Sequence, residues 1–152
     1  RLNFTEVGHV TVLMDYAHNP SGFQGLTKFI SRLPNKYRTV VMNVPGDRRD
    51  EDIREMGEIA GNNFDRIVIR AGNYLRRREA VDIAALIQEG IARSEGEPQV
   101  RVIPESRDAI HHAIKNGRKG ELVVTLADVV PDDIAYVQEI RDKMLEEQEA
   151  AG

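Results

Sequence analysis

The chain has 152 residues, 41% of them hydrophobic and 30% charged, with a formal net charge of −4 and no cysteine. That length and balance fit one globular domain with a real core, and the missing cysteine excludes disulfides, thiolate chemistry and cysteine-ligated zinc. The mild negative charge argues against a nucleic-acid binder; no apolar run approaches the ~20 residues of a membrane helix and no signal-peptide pattern opens the chain, so a cytoplasmic location fits.

Arg1 opens the chain without a methionine, directly at a strand-like segment, which reads as a fragment of a longer protein. Leu2–Val7 alternates with period two up to Gly8, and Val10–Met14 is apolar, so the two predict a hairpin. Asn19-Pro20 is a helix start, with Asn as cap and Pro at the first helical position. Phe23, Leu26, Phe29-Ile30 and Leu33 then recur at helical spacing, which predicts a helix over Pro20–Leu33. Thr39–Val44 follows as a short buried strand, and Asp50–Asn62 as an amphipathic helix. Arg66–Arg70, Val100–Ile103 and Leu122–Leu126 read as strands, alternating with helices over Ala80–Ala92, Ser106–Lys115 and Pro131–Glu147. Glu146–Gly152 is charged and rich in small residues, and is expected to fray.

Repeated strand–helix units with continuously apolar strands predict an α/β domain whose mostly parallel sheet is covered on both faces. The opening hairpin adds one antiparallel edge strand. In such folds ligands bind at the carboxyl ends of the strands, and three charged loops fall there.

The first loop is Asp15-Tyr16-Ala17-His18-Asn19-Pro20. A carboxylate at a strand end can accept hydrogen bonds from ribose hydroxyls, or hold a metal or an amine; the plainer reading is that Asp15 shapes the turn. His18 can stack on a base, bond a phosphate or move a proton, although a lone loop histidine is more often solvated. The second loop carries Gly46, Asp47, Arg48 and Arg49. Glycine permits close backbone approach to a ligand, and arginine grips a carboxylate or phosphate with two parallel hydrogen bonds. Asp50, Glu51 and Asp52 that follow are better read as complements to a helix dipole. The third loop, Asn73-Tyr74-Leu75-Arg76-Arg77-Arg78, concentrates positive charge for a phosphate or an anionic substrate, or is a solvated charge run. Asp128 after the last strand shares the same edge. His111-His112 lies within one helix, points to two faces, and lacks the i, i+4 spacing of a chelating pair. His9 falls in the hairpin turn and is expected to be exposed.

No GxxxxGK[ST] loop, GxGxxG loop or nucleophile elbow is present, so no complete active site is legible. The pieces nevertheless resemble one family. Arg1-Leu2-Asn3, Asp15–Pro20, Gly46–Ile53, Phe64–Ile69, Leu75-Arg76 with Arg78, and Leu122–Asp128 match, in order, the C-terminal domain of the Mur ligase superfamily. Gly46-Asp47-Arg48-Arg49-Asp50-Glu51-Asp52-Ile53 is most similar to the cyanophycin synthetase branch.

The resemblance implies a Rossmann-like three-layer α/β sandwich, residues 1–152 forming one glutamate-ligase-type domain that swings onto an upstream central ATPase domain of the same polypeptide. It implies an ATP-dependent ligase joining an amino acid to a carboxylate through an acyl phosphate, with ATP and Mg as cofactors and the Mg ligands in the central domain. By the same resemblance Arg1 reaches the ATP phosphates, Asp15 contacts the ribose, and His18 and Asn19 are its companions near the nucleotide. Gly46, Asp47, Arg48, Arg49, Asn73, Arg76, Arg78 and Asp128 take the substrate-binding positions. The branch adds arginine to an aspartate side chain, but Gly72-Asn73-Tyr74 stands where it usually carries an acidic run, so the incoming amino acid stays open. Peptidoglycan-precursor or folylpolyglutamate ligation, or a non-catalytic nucleotide- or anion-binding module, are the alternatives. Partners beyond the central domain are an amino-acid substrate, no nucleic acid and no membrane, with homo-oligomerisation left open. The isolated domain is expected to fold and to be inactive alone.

Overall fold

A computed structural model of the chain describes residues 3–71, 75, 78–127 and 130–151. Its strands are β1 (Asn3–Val7), β2 (Val10–Asp15), β3 (Arg38–Met42), β4 (Arg66–Ile69), β5 (Gln99–Val102) and β6 (Leu122–Leu126). Its helices are α1 (Pro20–Ile30), α2 (Asp50–Asn63), α3 (Ala80–Arg93), α4 (Ser106–Lys115) and α5 (Val130–Ala151). The strands form one sheet in the order β1-β2-β6-β3-β4-β5, parallel throughout except for the β1–β2 hairpin.

The period-two geometry of strands splits the core in two. Leu13, Val40, Met42, Ile67, Ile69, Leu122, Val124 and Leu126 face α1, α2 and α3, where Phe23, Met56 and Ile87 are fully buried. The alternate residues Val12, Met14, Val41, Val68 and Val123 face α4 and α5, meeting Ile110, Ala113, Val137 and Ile140. The result is the expected α/β three-layer sandwich with an antiparallel edge hairpin. Gly8 turns that hairpin at φ +60°, a conformation cheap only for glycine.

Helix ends follow their caps. Asn19 Oδ1 accepts from Gly22 N–H at 2.8 Å, and Pro20 occupies the first position of α1. The helix stops at Ile30 rather than Leu33. Pro34 disfavours helical geometry at the residue before it, so Arg32 and Leu33 close in short turns onto Phe29 and Ile30. At the other end of the chain, Glu146–Ala151 continues α5 where a frayed tail was expected. Helix-favouring Leu145, Glu146, Glu147, Gln148 and Ala150 propagate the ladder, with Lys115 pairing Glu147 at 3.9 Å.

α2 and α3 cross with their backbones in contact. A Cβ on Gly57 would lie 2.1 Å from the Ile87 carbonyl, and one on Gly90 would lie 1.8 Å from the Arg54 carbonyl. At the amino end of the sheet, Glu121 is 2% exposed and accepts from Thr39 Oγ1 (2.6 Å), Arg66 (2.6 Å) and Arg118 N–H (3.0 Å). Arg66 also donates to the Ala113 carbonyl at 2.8 Å, so this buried cluster ties β3, β4, β6 and α4 together. No helix among the described residues is long and apolar enough to cross a membrane.

Candidate functional site

The sheet order places the site. β6 lies between β2 and β3, and its following helix α5 packs on the opposite face from α1 and α2. The helices that follow β2 and β3 thus lie on the face opposite the helix that follows β6, the strand order at whose carboxyl edge α/β folds bind ligands. Asp15, Gly46–Arg49, Leu75 and Arg78 all lie on that edge.

Asp15 is the last residue of β2 and partly exposed. Its carbonyl accepts the Ala127 N–H at 2.9 Å, while its carboxylate takes no hydrogen bond or ion pair among the described residues. His18 Nδ1 lies 2.9 Å from the Tyr16 carbonyl. A carbonyl only accepts, so Nδ1 donates in this contact and Nε2 lies outside it. The exposed Tyr16 ring packs tilted against His18 with centroids 5.0 Å apart. Asn19 is occupied by the α1 cap, so its side-chain oxygen shapes the loop and its amide nitrogen stays available.

The loop after β3 is held from behind. Gly46 is buried against the backbone of Leu75: a Cβ there would sit 1.7 Å from the Leu75 carbonyl oxygen. Arg78 donates to the Gly46 carbonyl (2.8 Å) and the Arg48 carbonyl (2.9 Å), and pairs with Asp50 at 2.6 Å. Arg78 thus joins the loop after β4 to the loop after β3. Asp47 is exposed. Arg48 is half-buried, and its Nε–H is enclosed without a hydrogen-bond partner among the described residues. Arg49 pairs with Asp52 at 3.0 Å; hydrogen bonds first, then charge, raise the guanidinium's pKa and lower the carboxylate's.

The acids that open α2 do more than complement its dipole. Asp50, Glu51 and Asp52 each meet an arginine, respectively Arg78, Arg93 and Arg49. Among the described residues Arg48 is the arginine of this loop whose guanidinium forms no ion pair, which leaves it the strongest candidate to grip an anion. Arg1, Asn73, Arg76 and Asp128 lie outside the described residues.

One feature of this edge carried no sequence signal. Arg70, just past β4, makes a buried bidentate pair with Asp133 on α5. The two are 63 residues apart, and each by itself reads as an ordinary strand-end or helix-start charge.

Comparison with known proteins accords with this geometry. Residues 1–129 match the family model described as "Mur ligase, glutamate ligase domain". The cyanophycin synthetase of Crocosphaera subtropica is 34% identical over 90% of this chain. A UDP-N-acetylmuramoyl-L-alanyl-D-glutamate–2,6-diaminopimelate ligase of Caldanaerobacter subterraneus is 31% identical over 74% of it. The chain spans about 16% of that cyanophycin synthetase's length and 23% of the diaminopimelate ligase's. A solved diaminopimelate ligase structure shares the fold with a TM-score of 0.82 at 21% identity, covering 95% of this chain and 31% of that one. A MurF ligase from Thermotoga maritima, in complex with ADP, gives 0.60 at 24% identity, covering 96% of this chain and 31% of its own. With its strand order, its strand-end loops and this match over most of its length in agreement, the chain belongs to the Mur ligase glutamate-ligase-domain family.

Proposed function

We propose that the chain is the C-terminal lid and substrate domain of an ATP-dependent ligase that forms an amide between an amino acid and a carboxylate, similar to cyanophycin synthetase. The observation that carries this reading is the placement of two charged strand-end loops at the same carboxyl edge of the sheet. One bears the Asp15 carboxylate, which has no partner among the described residues, and the other bears Arg48 on a backbone clamped by Arg78.

The residues fit a nucleotide and an acidic substrate group. A carboxylate with no partner among the described residues can accept two ribose hydroxyls, and the His18 ring stands beside the Tyr16 ring. Arg48, with Asp47 beside it, suits the charged groups of an incoming amino acid: guanidinium for carboxylate, carboxylate for amine. Asn73, Arg76, Arg78 and Asp128 are assigned to the same substrate-binding edge, with Arg78 acting through the backbone it holds. Arg1 is assigned to the nucleotide phosphates.

ATP bound with Mg supplies the phosphoryl group that activates the acceptor carboxylate; the Mg ligands and phosphate loop are assigned to the preceding central domain. This chain's part is to orient nucleotide and amine, and to exclude water when it closes on that domain. Such a reaction belongs in the cytoplasm, where ATP is supplied.

The test compares residues 1–152 with the longer polypeptide that contains them, following ADP release with ATP, Mg, and arginine, glutamate or diaminopimelate as amine. The longer protein ligates, the 152-residue chain alone does not, and Asp15→Ala raises KM for ATP. Robust ligation by residues 1–152 alone, or none by the longer protein with any amine, overturns the reading.

A further inference from the structure

Arg70 stands just past the carboxyl end of β4, on the same sheet edge, and is bonded both to the end of β6 and to the start of α5. Its Nη1 donates to Asp133 Oδ1 at 3.0 Å, and its Nη2 donates to Asp133 Oδ2 and to the Leu126 carbonyl, each at 2.7 Å. Leu126 ends β6 and Asp133 stands in the first turn of α5, so the two contacts tie the end of β6 to the start of α5. In the sheet, β3 lies between β4 and β6, and the guanidinium reaches across its carboxyl end. The Arg70 N–H meanwhile donates to the Met42 carbonyl of β3 at 2.9 Å. Beyond Leu126, the Ala127 N–H continues the run to the Asp15 carbonyl. One arginine therefore joins the ends of β3, β4 and β6, and through Ala127 the end of β2.

Stability does not explain such a pair. Arg70 is 5% exposed and Asp133 3% exposed, and removing both charges from water costs several kcal/mol per ion before their attraction offsets it. Asp133 also begins the stripe that Val137 and Ile140 continue into the core, where an apolar side chain would pack at less cost. What an apolar pair cannot reproduce is direction: a bidentate guanidinium–carboxylate contact sets both distance and orientation.

We propose that Arg70 and Asp133 are positioning residues, holding the end of β6 and the start of α5 against β4 so that Ala127 and Asp15 keep the register that the nucleotide requires. The structural half of this stands on the contacts alone; its kinetic half rests on the ligase reading above.

The test is the double variant Arg70→Met with Asp133→Leu, which removes both charges together. Its urea midpoint stays near that of the parent chain. Hydrogen exchange at the Ala127 amide rises about tenfold, while Val41 and Val124 amides are unchanged. In the longer protein, KM for ATP rises about fivefold and kcat changes less than twofold. Arg70→Lys, which keeps the charge but not the fork, gives an intermediate exchange rate, and serves as the reporter if the double variant does not fold. Unchanged Ala127 exchange overturns the proposal. So does a uniform rise in exchange with lost stability, or an unaltered KM in an active enzyme with a loosened β6 end. Absence of ligation by the unmodified longer protein counts against the ligase reading instead, and the exchange measurement still decides the role of the pair.

Discussion

Arg78 donates to the Gly46 carbonyl across 2.8 Å, so the loop after β4 holds the loop after β3 by its backbone. Substituting Arg78 with Met removes this bond, the one to the Arg48 carbonyl and the Asp50 pair. The side chain is partly exposed, so the stability loss is small, about 1 kcal/mol. The functional loss is larger: in the proposed full-length ligase, KM for the incoming amino acid rises about tenfold while the nucleotide KM holds. Steady-state ADP release against each substrate separates the two.

Gly46→Ala approaches the same loop from the other side. Its new methyl would lie 1.7 Å from a backbone oxygen, which cannot rotate away as a flexible side chain would. The two loops must part, at a cost of about 2 kcal/mol, with the same selective rise in amino-acid KM. Because Arg78 and Gly46 share one contact, the double variant loses less than the sum of the singles. Strict additivity in kinetics and urea unfolding would show that the loops are independent.

The crossing of α2 and α3 allows a test of sign. Gly90→Ala improves intrinsic helix propensity by about 1 kcal/mol. It also drives a methyl to 1.8 Å from the Arg54 carbonyl, and overpacking of that kind costs about 1–3 kcal/mol. We expect a net loss of up to about 2 kcal/mol by urea unfolding. A stabilised variant would show that the helices separate freely.

Glu121 makes the fold acid-sensitive. Burial alone would push its carboxyl up, but hydrogen bonds from Thr39, Arg118 and Arg66, with the Arg66 charge, outweigh that and hold it below the usual glutamate range. A depressed folded-state value means the unfolded chain takes up the proton first. The contribution is therefore complete above the ordinary glutamate value of about 4.3 and fades as pH falls below it. Glu121→Gln loses about 2–3 kcal/mol at pH 7, because Arg66 is left without its counter-charge. The variant also shows a shallower stability decline between about pH 5 and pH 3. Chemical denaturation at several pH values checks both.

Most of the architecture was legible because strand and helix periods are local. Ser106–Lys115 and Leu122–Leu126 come out at their sequence bounds, and the hairpin around Gly8 closes as its alternation demands. The end of α1 was misjudged: Leu33 continues the helical spacing, but Pro34 acts on the backbone rather than on the hydrophobic pattern. The tail of α5 was misjudged in the other direction, since a charged, exposed face is compatible with both helix and coil.

Of the candidate site, the sequence alone determined which charged loops stand at strand ends, because Asp15, His18 and the Gly46–Arg49 run each follow an apolar strand within a few residues. It also determined the family, through short contiguous motifs. Only the tertiary structure decided what the arginines do. Arg78 is bonded to backbone carbonyls and Asp50, Arg49 to Asp52, Arg70 to Asp133, while Arg48 keeps its guanidinium free of ion pairs among the described residues. Charge in a sequence states that a partner is needed. Which partner is met depends on strand order and on contacts between residues tens of positions apart, and no local pattern encodes those.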